Sequence, residues 1–283
     1  MSRTVYVNGA FVAEEDAKIS VFDRGFLFAD AVYEVSTVLD GNLVDNLAHM
    51  ERLKRSLSEL KMGSPVPVDD IPALMEELVT RNNVTEGMVY LQVSRGPADR
   101  DFVFPAEEKP SLVMFTQEKS VADTPKSESG ISVVTMQDVR WARRDIKTTQ
   151  LLAQSIVKQE AANQGADDAW MVEEGMVTEG SSNNAFIITA DGVIVTRQLS
   201  NSILHGITRR VVLEIAETEG LSVEQRPFTV EEAQAAAEAF STSASSFVMP
   251  VTSIDGKTIS QGVPGPITRK LRARYIELAR VAA

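Results

Sequence analysis

A polar run at Lys119–Gly130 divides the chain into two halves that show the same alternation of apolar patterns. The run has no apolar periodicity and is rich in serine and charged residues, a composition typical of a linker. In both halves, some stretches suit strands, and in others apolar residues recur every third or fourth position, as in helices. The sequence therefore predicts an α+β chain with an N-terminal domain at 1–118, a linker at 119–130 and a C-terminal α/β domain at 131–283.

Turn and helix signals place elements within each half. The N-terminal residues predict two strands that meet at Asn8-Gly9, a dipeptide favoured in tight hairpin turns. From Leu47 onward, leucine and methionine recur at spacings of three and four. In the second half, the predicted face of a helix consists of Leu152, Ile156, Gln159 and Ala161. The predicted helices cover 46–60, 69–81, 149–163, 207–219 and 266–280.

The composition excludes or disfavours several kinds of site and partner. A net charge of −12 without a basic patch argues against a nucleic-acid partner. The absence of cysteine excludes disulfides, thiolate nucleophiles and cysteine-bound zinc. The two histidines, His49 and His205, lie far apart in the sequence, and neither has the spacing of a metal-binding pair. Neither a signal peptide nor a membrane-spanning run is seen, so we expect a cytoplasmic protein without metal or membrane contact.

Lys147 lies in the charged segment Arg-Arg-Asp-Ile-Lys-Thr-Thr-Gln, between a strand-like run and a predicted helix. A lysine amine becomes a nucleophile when burial or neighbouring cations lower its pKa, and Arg143 and Arg144 are close in the sequence. Taken alone, the segment favours a solvated loop lysine over a reactive one.

Two further segments combine small residues with groups that bind charge. Glu179 ends a short strand and is followed by glycine and small polar residues that include Ser182, although an exposed turn has the same composition. Gly206 precedes a predicted helix that begins with Ile207 and Thr208. Free amides at a helix N-terminus attract an anion such as phosphate, and a simple helix cap is the alternative.

Arg52 and Tyr33 each allow two interpretations. Arg52 lies on the polar side of the first predicted helix, where it suits either a phosphate ligand or a surface ion pair. Tyr33 suits either a core aromatic residue or a phenol that faces substrate. Together, a lysine, an acid and an anion cradle are the parts of a pyridoxal phosphate site.

At these residues the chain resembles the fold type IV pyridoxal-phosphate aminotransferases, and among them most the D-amino-acid aminotransferases. The matching segments run in family order over almost the whole chain. They are Asp23-Arg24-Gly25, Asp30–Val35, His49–Leu53, Val93–Gly96, Arg144–Lys147, Lys158–Ala161, Thr178–Asn183 and Gly206–Arg209. The resemblance implies a two-domain fold with the cofactor at the domain interface, and a homodimer.

The resemblance also implies roles for individual residues. Lys147, in the C-terminal domain, would form the Schiff base with pyridoxal 5'-phosphate and move the substrate's Cα proton, while Glu179 would keep the pyridine nitrogen protonated. The residues implied in cofactor binding are Arg52, Glu179, Ile207, Thr208, Ser243 and Ala244. The family often has Ser-Thr where this chain has Ser243-Ala244, which removes one hydroxyl and keeps the amide.

The implied substrate residues are Tyr33, Arg100, Phe102 and Ser182, with Arg100 contributed across the dimer interface. The D-amino-acid members show an Arg-x-His pair in this loop, whereas this chain has Arg100-Asp101-Phe102. Loss of the histidine removes a donor and adds apolar surface. It predicts a weaker hold on the substrate carboxylate and side activity toward (R)-primary amines.

The implied reaction is a ping-pong transfer of the amino group from a D-amino acid of the D-alanine type to pyruvate or 2-oxoglutarate. Three other functions of the same fold remain possible from the sequence: an (R)-selective amine transaminase, a branched-chain L-amino-acid aminotransferase and an aminodeoxychorismate lyase. Residues 26–38 lack the Tyr-Gly and Phe-Glu-Gly-x-Arg pattern of branched-chain enzymes. A binding protein that kept only the fold would have lost the lysine or the acid, and both are present.

Overall fold

The computed structural model describes residues 2–281, which form two compact units of mixed helix and strand. The first unit comprises 2–121 and Ile146–Gln150, and the second comprises Ala122–Asp145 and Leu151–Val281. The predicted fold class is confirmed. The break after Val121 falls inside the predicted linker, which nevertheless contains a short helix opened by a Thr124–Ser127 capping box. A single helical turn carries no apolar repeat, so the sequence pattern does not reveal it.

The first unit is built on a six-stranded sheet in which every neighbouring pair is antiparallel. Its strands are β1 (Thr4–Val7), β2 (Ala10–Ala13), β3 (Ala31–Leu39), β4 (Asn42–Leu43), β5 (Glu86–Ser94) and β6 (Ser111–Glu118). Its helices are α1 (Arg24–Phe28), α2 (Asn46–Glu59) and α3 (Ile71–Asn82). The strands are arranged in the order β2-β1-β6-β5-β3-β4. Apolar side chains of α2 and α3 share one core with side chains of β3 and β5.

The predicted hairpin at Asn8-Gly9 is confirmed. Both residues have positive φ, 47° and 98°, as a two-residue turn of this kind requires, and glycine takes that conformation without steric cost. The apolar face of α2 differs from the prediction at one end. Met50 and Leu53 are buried, but Leu47 is 80% exposed because it lies on the first turn, outside the core.

The segment that carries Lys147 belongs to the first unit, whereas the sequence assigns it to the C-terminal domain. The N–H of Tyr33 donates to the Lys147 carbonyl at 3.0 Å, and the N–H of Thr149 donates to the Ala31 carbonyl at 3.0 Å. Ile146 is buried in the core of this unit. Backbone groups on the side of β3 away from β5 need partners, and this segment supplies them. Pairing of this kind joins distant parts of the chain and leaves no local pattern.

A buried group of charged side chains ties α2 to β3. Glu34 has no exposed surface, and its carboxylate accepts two bonds from the Arg52 guanidinium, at 2.8 and 2.7 Å. Nδ1 of His49 lies 2.8 Å from the same carboxylate. Burial on its own would raise the pKa of Glu34, but Arg52 and His49 outweigh it and lower that pKa to about 2. Arg52 is therefore neither solvent-exposed nor part of a surface ion pair.

The second unit is built on a nine-stranded mixed sheet. Its strands are β7 (Ile131–Gln137), β8 (Asp168–Glu173), β9 (Met176–Gly180), β10 (Asn184–Ile188), β11 (Ile194–Thr196), β12 (Val223–Gln225), β13 (Glu238–Ser243), β14 (Phe247–Ile254) and β15 (Lys257–Thr258). Its helices are α4 (Pro125–Ser129), α5 (Leu152–Asn163), α6 (Ile207–Thr218), α7 (Val230–Ala235) and α8 (Pro266–Val281). The main path is β12-β11-β10-β13-β14-β7-β8-β9, and β15 pairs with β14.

Helix α5 buries Ala161 of the predicted apolar face but leaves Leu152, Ile156 and Gln159 outside the core. Leu152 and Ile156 are 74% and 58% exposed, whereas Val157 and Ala161 are buried against β8. Spacings of three and four fit both faces, so the pattern alone does not select the buried one. The helix also begins three residues later than predicted, because Thr149 is already paired with β3.

Neither a membrane-crossing helix nor a metal cluster is found within residues 2–281. Every helix there is too short or too polar to span a bilayer. No group of three or more histidine, aspartate or glutamate side chains is placed to hold a metal ion in the same part of the chain.

The lowered pKa of Glu34 predicts a pH-dependent loss of stability. A carboxyl with a folded pKa of about 2 and an ordinary value of 4.5 stabilises the fold above about pH 4.5. That contribution is lost as the pH falls from about 4.5 toward 2. We expect β3 amides to lose protection from hydrogen exchange across this window, beyond the loss seen in strands remote from Glu34.

The matched variant is Glu34→Gln, which keeps the shape and removes the charge. At pH 7 it should lower the free energy of unfolding of the first unit by about 3–5 kcal/mol, since it leaves a buried guanidinium unpaired. The difference between wild type and variant should shrink as the pH approaches 2. A difference that stays constant across the window would show that the Glu34 charge does not stabilise the fold.

Candidate active site

Lys147 is half-buried, and its side chain lies against Tyr33. Its Nζ is 4.0 Å from the centre of the Tyr33 ring, while its backbone is paired with Tyr33. The backbone N–H of Lys147 is 3.4 Å from Oγ of Ser56 on α2, at the long end of hydrogen-bond distances. Strand β3 therefore positions both the lysine and the aromatic face beneath its amine.

Tyr33 is held by a row of stacked rings that crosses the sheet. Its ring centre is 5.6 Å from that of Tyr90 on β5, and Tyr90 lies 4.8 Å from Phe115 on β6. Burial raises the pKa of the Tyr90 phenol, whose hydroxyl donates to the Gln92 side chain at 2.8 Å. The row restricts the Tyr33 ring and so gives the lysine amine a fixed neighbour.

The two arginines expected to influence Lys147 are already paired with carboxylates. Arg143 donates twice to Asp145, at 3.0 Å each, and Arg144 donates twice to Glu173, at 2.9 and 2.8 Å. Their charges are therefore largely balanced where they stand.

Arg100 and Phe102 lie in an exposed loop of the first unit. The Arg100 guanidinium carbon is 5.4 Å from the Phe28 ring centre and 5.7 Å from the Phe102 ring centre. No carboxylate lies within salt-bridge distance of Arg100 in the part of the chain that the structure describes. This guanidinium is therefore available to an anion, while Phe102 is 77% exposed.

Glu179 ends in a buried site of the second unit, on β9. Its carboxylate accepts hydrogen bonds from Nη1 of Arg140, from the Asn184 side chain at 2.8 Å and from the Leu204 N–H at 3.1 Å. The Leu204 N–H also lies 3.2 Å from the other oxygen, so three donor groups make four contacts with this carboxylate. An exposed turn, the alternative interpretation of this segment, does not describe Glu179, which is 3% exposed.

Burial raises the pKa of Glu179, and the donors from Arg140 and Leu204 act against that rise. Arg140 is shared, because it also donates to Asp138 at 3.0 and 2.7 Å. Asp138 in turn accepts from the Thr178 hydroxyl at 2.7 Å. The positive charge of Arg140 is therefore divided between Asp138 and Glu179, and only part of it stabilises the Glu179 anion.

Sequence reasoning missed Arg140, Asp138 and Asn184. Asp138 and Arg140 are two residues apart just after β7, a spacing that places side chains on the same side of an extended chain. That alternation is the one local signal for the pair. Asn184 reaches Glu179 across the turn that follows β9, and such a contact has no signature in the sequence.

The first turn of α6 is arranged as the predicted anion site requires. Ile207 and Thr208 are buried, and no side chain caps the helix at Gly206. A Cβ at Gly206 would lie 2.0 Å from Oδ1 of Asn184, so only glycine permits this approach. An uncapped helix N-terminus with a buried threonine hydroxyl suits a phosphate group.

Ser243 is the last residue of β13 and is followed by Ala244; both are half-buried. The Ser243 hydroxyl lies 2.7 Å from that of Ser246. The adjacent Thr242 has a buried hydroxyl that finds no partner among residues 2–281, an unusual state that a bound polar group would relieve.

Ser182 is exposed at the centre of the turn after β9. Its neighbours are fixed, because Ser181 and Asn183 both donate to Asp168, at 2.5 and 2.8 Å. The Ser182 side chain therefore projects from an anchored turn.

The donor set fits pyridoxal phosphate. A half-buried lysine amine, a buried carboxylate, an uncapped helix and an orphaned hydroxyl match the needs of its aldehyde, its ring nitrogen and its phosphate. The structure describes the lysine in the first unit and the carboxylate and the helix in the second.

Relatives named D-alanine aminotransferase align with almost the full length of this chain. A D-alanine aminotransferase from Staphylococcus epidermidis is 40% identical over 274 residues, which cover 96% of each chain. One from Bacillus licheniformis is 36% identical over 268 residues, which cover 95% of this chain and 94% of the relative.

Solved structures of branched-chain aminotransferases share the fold. The enzyme from Thermoproteus uzoniensis, with norvaline, has a TM-score of 0.90 at 28% identity and covers 99% of this chain and 95% of its own. The T.th. enzyme, complexed with N-(5'-phosphopyridoxyl)-L-glutamate, has a TM-score of 0.90 at 26% identity and covers 100% of this chain and 96% of its own.

The sequence model of the family described as amino-transferase class IV matches residues 31–254. This range contains every residue that the sequence assigns to the site. The expected cofactor of such a chain is confirmed, because the family depends on pyridoxal phosphate. The protein thus belongs to the class IV aminotransferases, the fold type IV enzymes that transfer amino groups with this cofactor.

Proposed function

We propose that this aminotransferase moves the amino group of a D-amino acid, of the D-alanine type, to a 2-oxo acid such as pyruvate or 2-oxoglutarate. The observation that carries the substrate assignment is the near full-length similarity to enzymes named D-alanine aminotransferase. The exposed Arg100 guanidinium, without a carboxylate partner in the described chain, supports a substrate that bears a carboxylate.

Lys147 is the residue that holds the cofactor and moves the proton of the substrate's Cα. When bound, pyridoxal phosphate supplies an electron-withdrawing ring that eases loss of this proton. The amine that accepts the proton becomes a cation, and the face of the Tyr33 ring, 4.0 Å away, stabilises a cation there. The same lysine returns the proton, so one amine serves both halves of the ping-pong reaction.

Glu179 would hold the protonated ring nitrogen of the cofactor. Its burial excludes water, which strengthens a hydrogen bond between opposite charges. Arg140 and Asn184 hold the carboxylate in a single orientation, so it does not need to reorganise when the ring nitrogen gains its proton.

The residues that would hold the phosphate are Ile207 and Thr208, through their amides, Arg52, and the Ser243-Ala244 turn. The uncapped start of α6 supports the amides. Arg52 donates to Glu34 through Nε and Nη2, and the motif at His49–Leu53 supports its second role as a phosphate ligand.

Lys147→Ala should abolish steady-state transamination while the fold is kept. Borohydride reduction should fix the cofactor to wild type at Lys147 and should fix none to the variant, as peptide mass spectrometry would read. The control is Lys257→Ala, which removes an exposed lysine on β15 and should change neither result. Labelling at another lysine would show that Lys147 is not the attachment point.

The rate at which cofactor is lost during dialysis tests the proposed phosphate contacts. Arg52→Ala and Thr208→Val should lose cofactor faster than wild type and recover activity when excess pyridoxal phosphate is added. Glu34→Gln separates the roles of Arg52, because it disturbs the ion pair but keeps the arginine. Equal loss from Glu34→Gln and Arg52→Ala would assign Arg52 to the fold alone.

A branched-chain L-amino-acid aminotransferase is the second candidate, since the similar solved structures carry that name. An (R)-selective amine transaminase and an aminodeoxychorismate lyase share the fold as well. The structure offers no observation that favours the lyase.

The substrate class is tested with donors of both hands. With pyruvate or 2-oxoglutarate as acceptor, kcat/KM for D-alanine should exceed that for L-leucine by about a hundredfold or more, since the hand of the donor decides whether its Cα proton faces the lysine. Low but measurable activity with (R)-1-phenylethylamine should accompany it. Turnover of L-leucine or L-valine without D-alanine activity would replace this proposal by the branched-chain function.

A homodimer is part of the proposal, and exposed apolar side chains of the first unit support it. Six of them are more than half exposed: Val21, Phe22, Phe26, Phe102, Val103 and Phe104. The N–H of Ala98 donates to the Phe22 carbonyl at 3.1 Å, which joins the segment at 21–26 to the loop that carries 102–104. Clustered apolar surface of this kind is typical of a protein interface, and a second copy also accounts for the role of Arg100 across it.

Analytical ultracentrifugation should therefore report about twice the 30.9 kDa of one chain. Phe26→Asp should shift the distribution toward the monomer because it places a charge in the apolar cluster. Val281→Asp is the control, since Val281 is 79% exposed but lies on α8 of the second unit. A fully active monomer would contradict both the dimer and the shared Arg100.

A further inference from the structure

Guanidinium groups and aromatic rings alternate in the first unit, in a ladder that ends at Arg100. Asp30 binds Arg24 at 2.7 Å, and the Arg24 guanidinium carbon lies 4.6 Å from the Phe28 ring centre. Arg100 approaches the same ring at 5.4 Å and the Phe102 ring at 5.7 Å. The two rings are 5.7 Å apart and tilted by 57°, so they form an open cradle around one guanidinium.

The backbone of the loop is fixed on both sides of the cradle. Arg24, which is 3% exposed, donates to the Asp101 carbonyl at 2.6 Å. Arg95, which is 1% exposed, lies 3.8 Å from the Phe104 ring centre and binds Asp30 at 2.8 Å. Asp101 and Phe104, on either side of Phe102, are therefore held by buried arginines, although the loop itself is exposed.

Arg24 and Arg100, the two arginines on either side of the Phe28 ring, differ in whether a carboxylate offsets their charge. The charge of Arg24 is offset by Asp30, whereas no carboxylate lies within salt-bridge distance of Arg100 among residues 2–281. An aromatic face stabilises a guanidinium without occupying its N–H groups, which lie in the plane of the cation. A cradle of rings thus orients the cation and leaves its edge open to a planar carboxylate.

We infer that Phe28 and Phe102 are positioning residues that hold the Arg100 guanidinium in the orientation in which it binds the substrate carboxylate. This inference rests on the proposed role of Arg100 in the transamination. Phe102 then acts through the face of its ring on the arginine, in place of the donor that a histidine would give to the substrate.

The test compares Phe28→Leu, Phe102→Leu and the double variant with wild type, as holoenzymes. KM for D-alanine should rise about threefold in each single variant and about tenfold in the double variant, from the usual strength of exposed cation–π contacts. The value of kcat should change little, and KM for (R)-1-phenylethylamine, which has no carboxylate, should stay constant. Phe102→Tyr and Phe102→Trp keep an aromatic face and should restore the KM of wild type.

Phe11→Leu is the matched control. It removes a ring 4.5 Å from the Arg81 guanidinium, the same kind of contact at a place with no proposed contact to substrate, and should leave every KM unchanged. Cofactor content and mass in solution show whether each variant keeps its assembly.

Three outcomes would overturn the inference: unchanged KM in the double variant, an equal rise in KM for the amine, or failure of Phe102→Tyr and Phe102→Trp to restore binding. The proposed substrate class is tested separately by wild type, from its turnover of D-alanine against L-leucine. If wild type uses only L-leucine, that proposal fails, and the same comparison of KM is made with L-leucine as the substrate that bears the carboxylate.

Discussion

The pairing of residues 146–150 with β3 is the constraint on which the first half of the site depends. Strand β3 has two roles at adjacent positions, because successive side chains point to opposite faces. Tyr33 faces Lys147, and Glu34 faces the core, where it holds α2 through Arg52 and His49. The burial of Glu34 thus fixes the strand that orients Lys147.

The two buried glutamates of this protein show how the sharing of an arginine sets acidity. Glu34 receives both arms of Arg52, and its pKa falls to about 2 despite complete burial. Glu179 receives one arm of Arg140, which gives two bonds to Asp138, and burial raises the Glu179 pKa. His49 also lowers the Glu34 pKa, so Glu34 has two cationic or donor neighbours of its own, whereas Glu179 shares its arginine with Asp138.

Local signals in the sequence are sufficient for some elements of the fold and insufficient for others. The hairpin at Asn8-Gly9 and the start of α6 at Ile207 follow from turn chemistry and apolar spacing, and both agree with the structure. The buried face of α5 does not follow, because the spacing of Leu152 and Ile156 fits a helix without showing which side is covered. The resemblance to a family supplied the site residues, since no single segment specifies them.

What the sequence leaves out are contacts between distant segments. From the sequence, Arg52 suits a surface cation or a phosphate ligand. The structure adds its ion pair with Glu34, which lies 18 positions away in the chain. Arg140 has no evident role until Glu179 is placed next to it, 39 positions further on. Such pairs depend on strand and helix packing, which one sequence does not encode in any local pattern.

The crossing of the chain between the two units has a consequence for biosynthesis. The first unit is not complete at Val121, because the segment that covers the side of β3 away from β5 arrives only with residues 146–150. Until then, the nascent chain carries unpaired backbone groups along part of that strand, the condition that invites pairing with another chain. The lysine segment is therefore also the piece that closes an exposed edge, and the ribosome delivers it 25 residues after the rest of that unit.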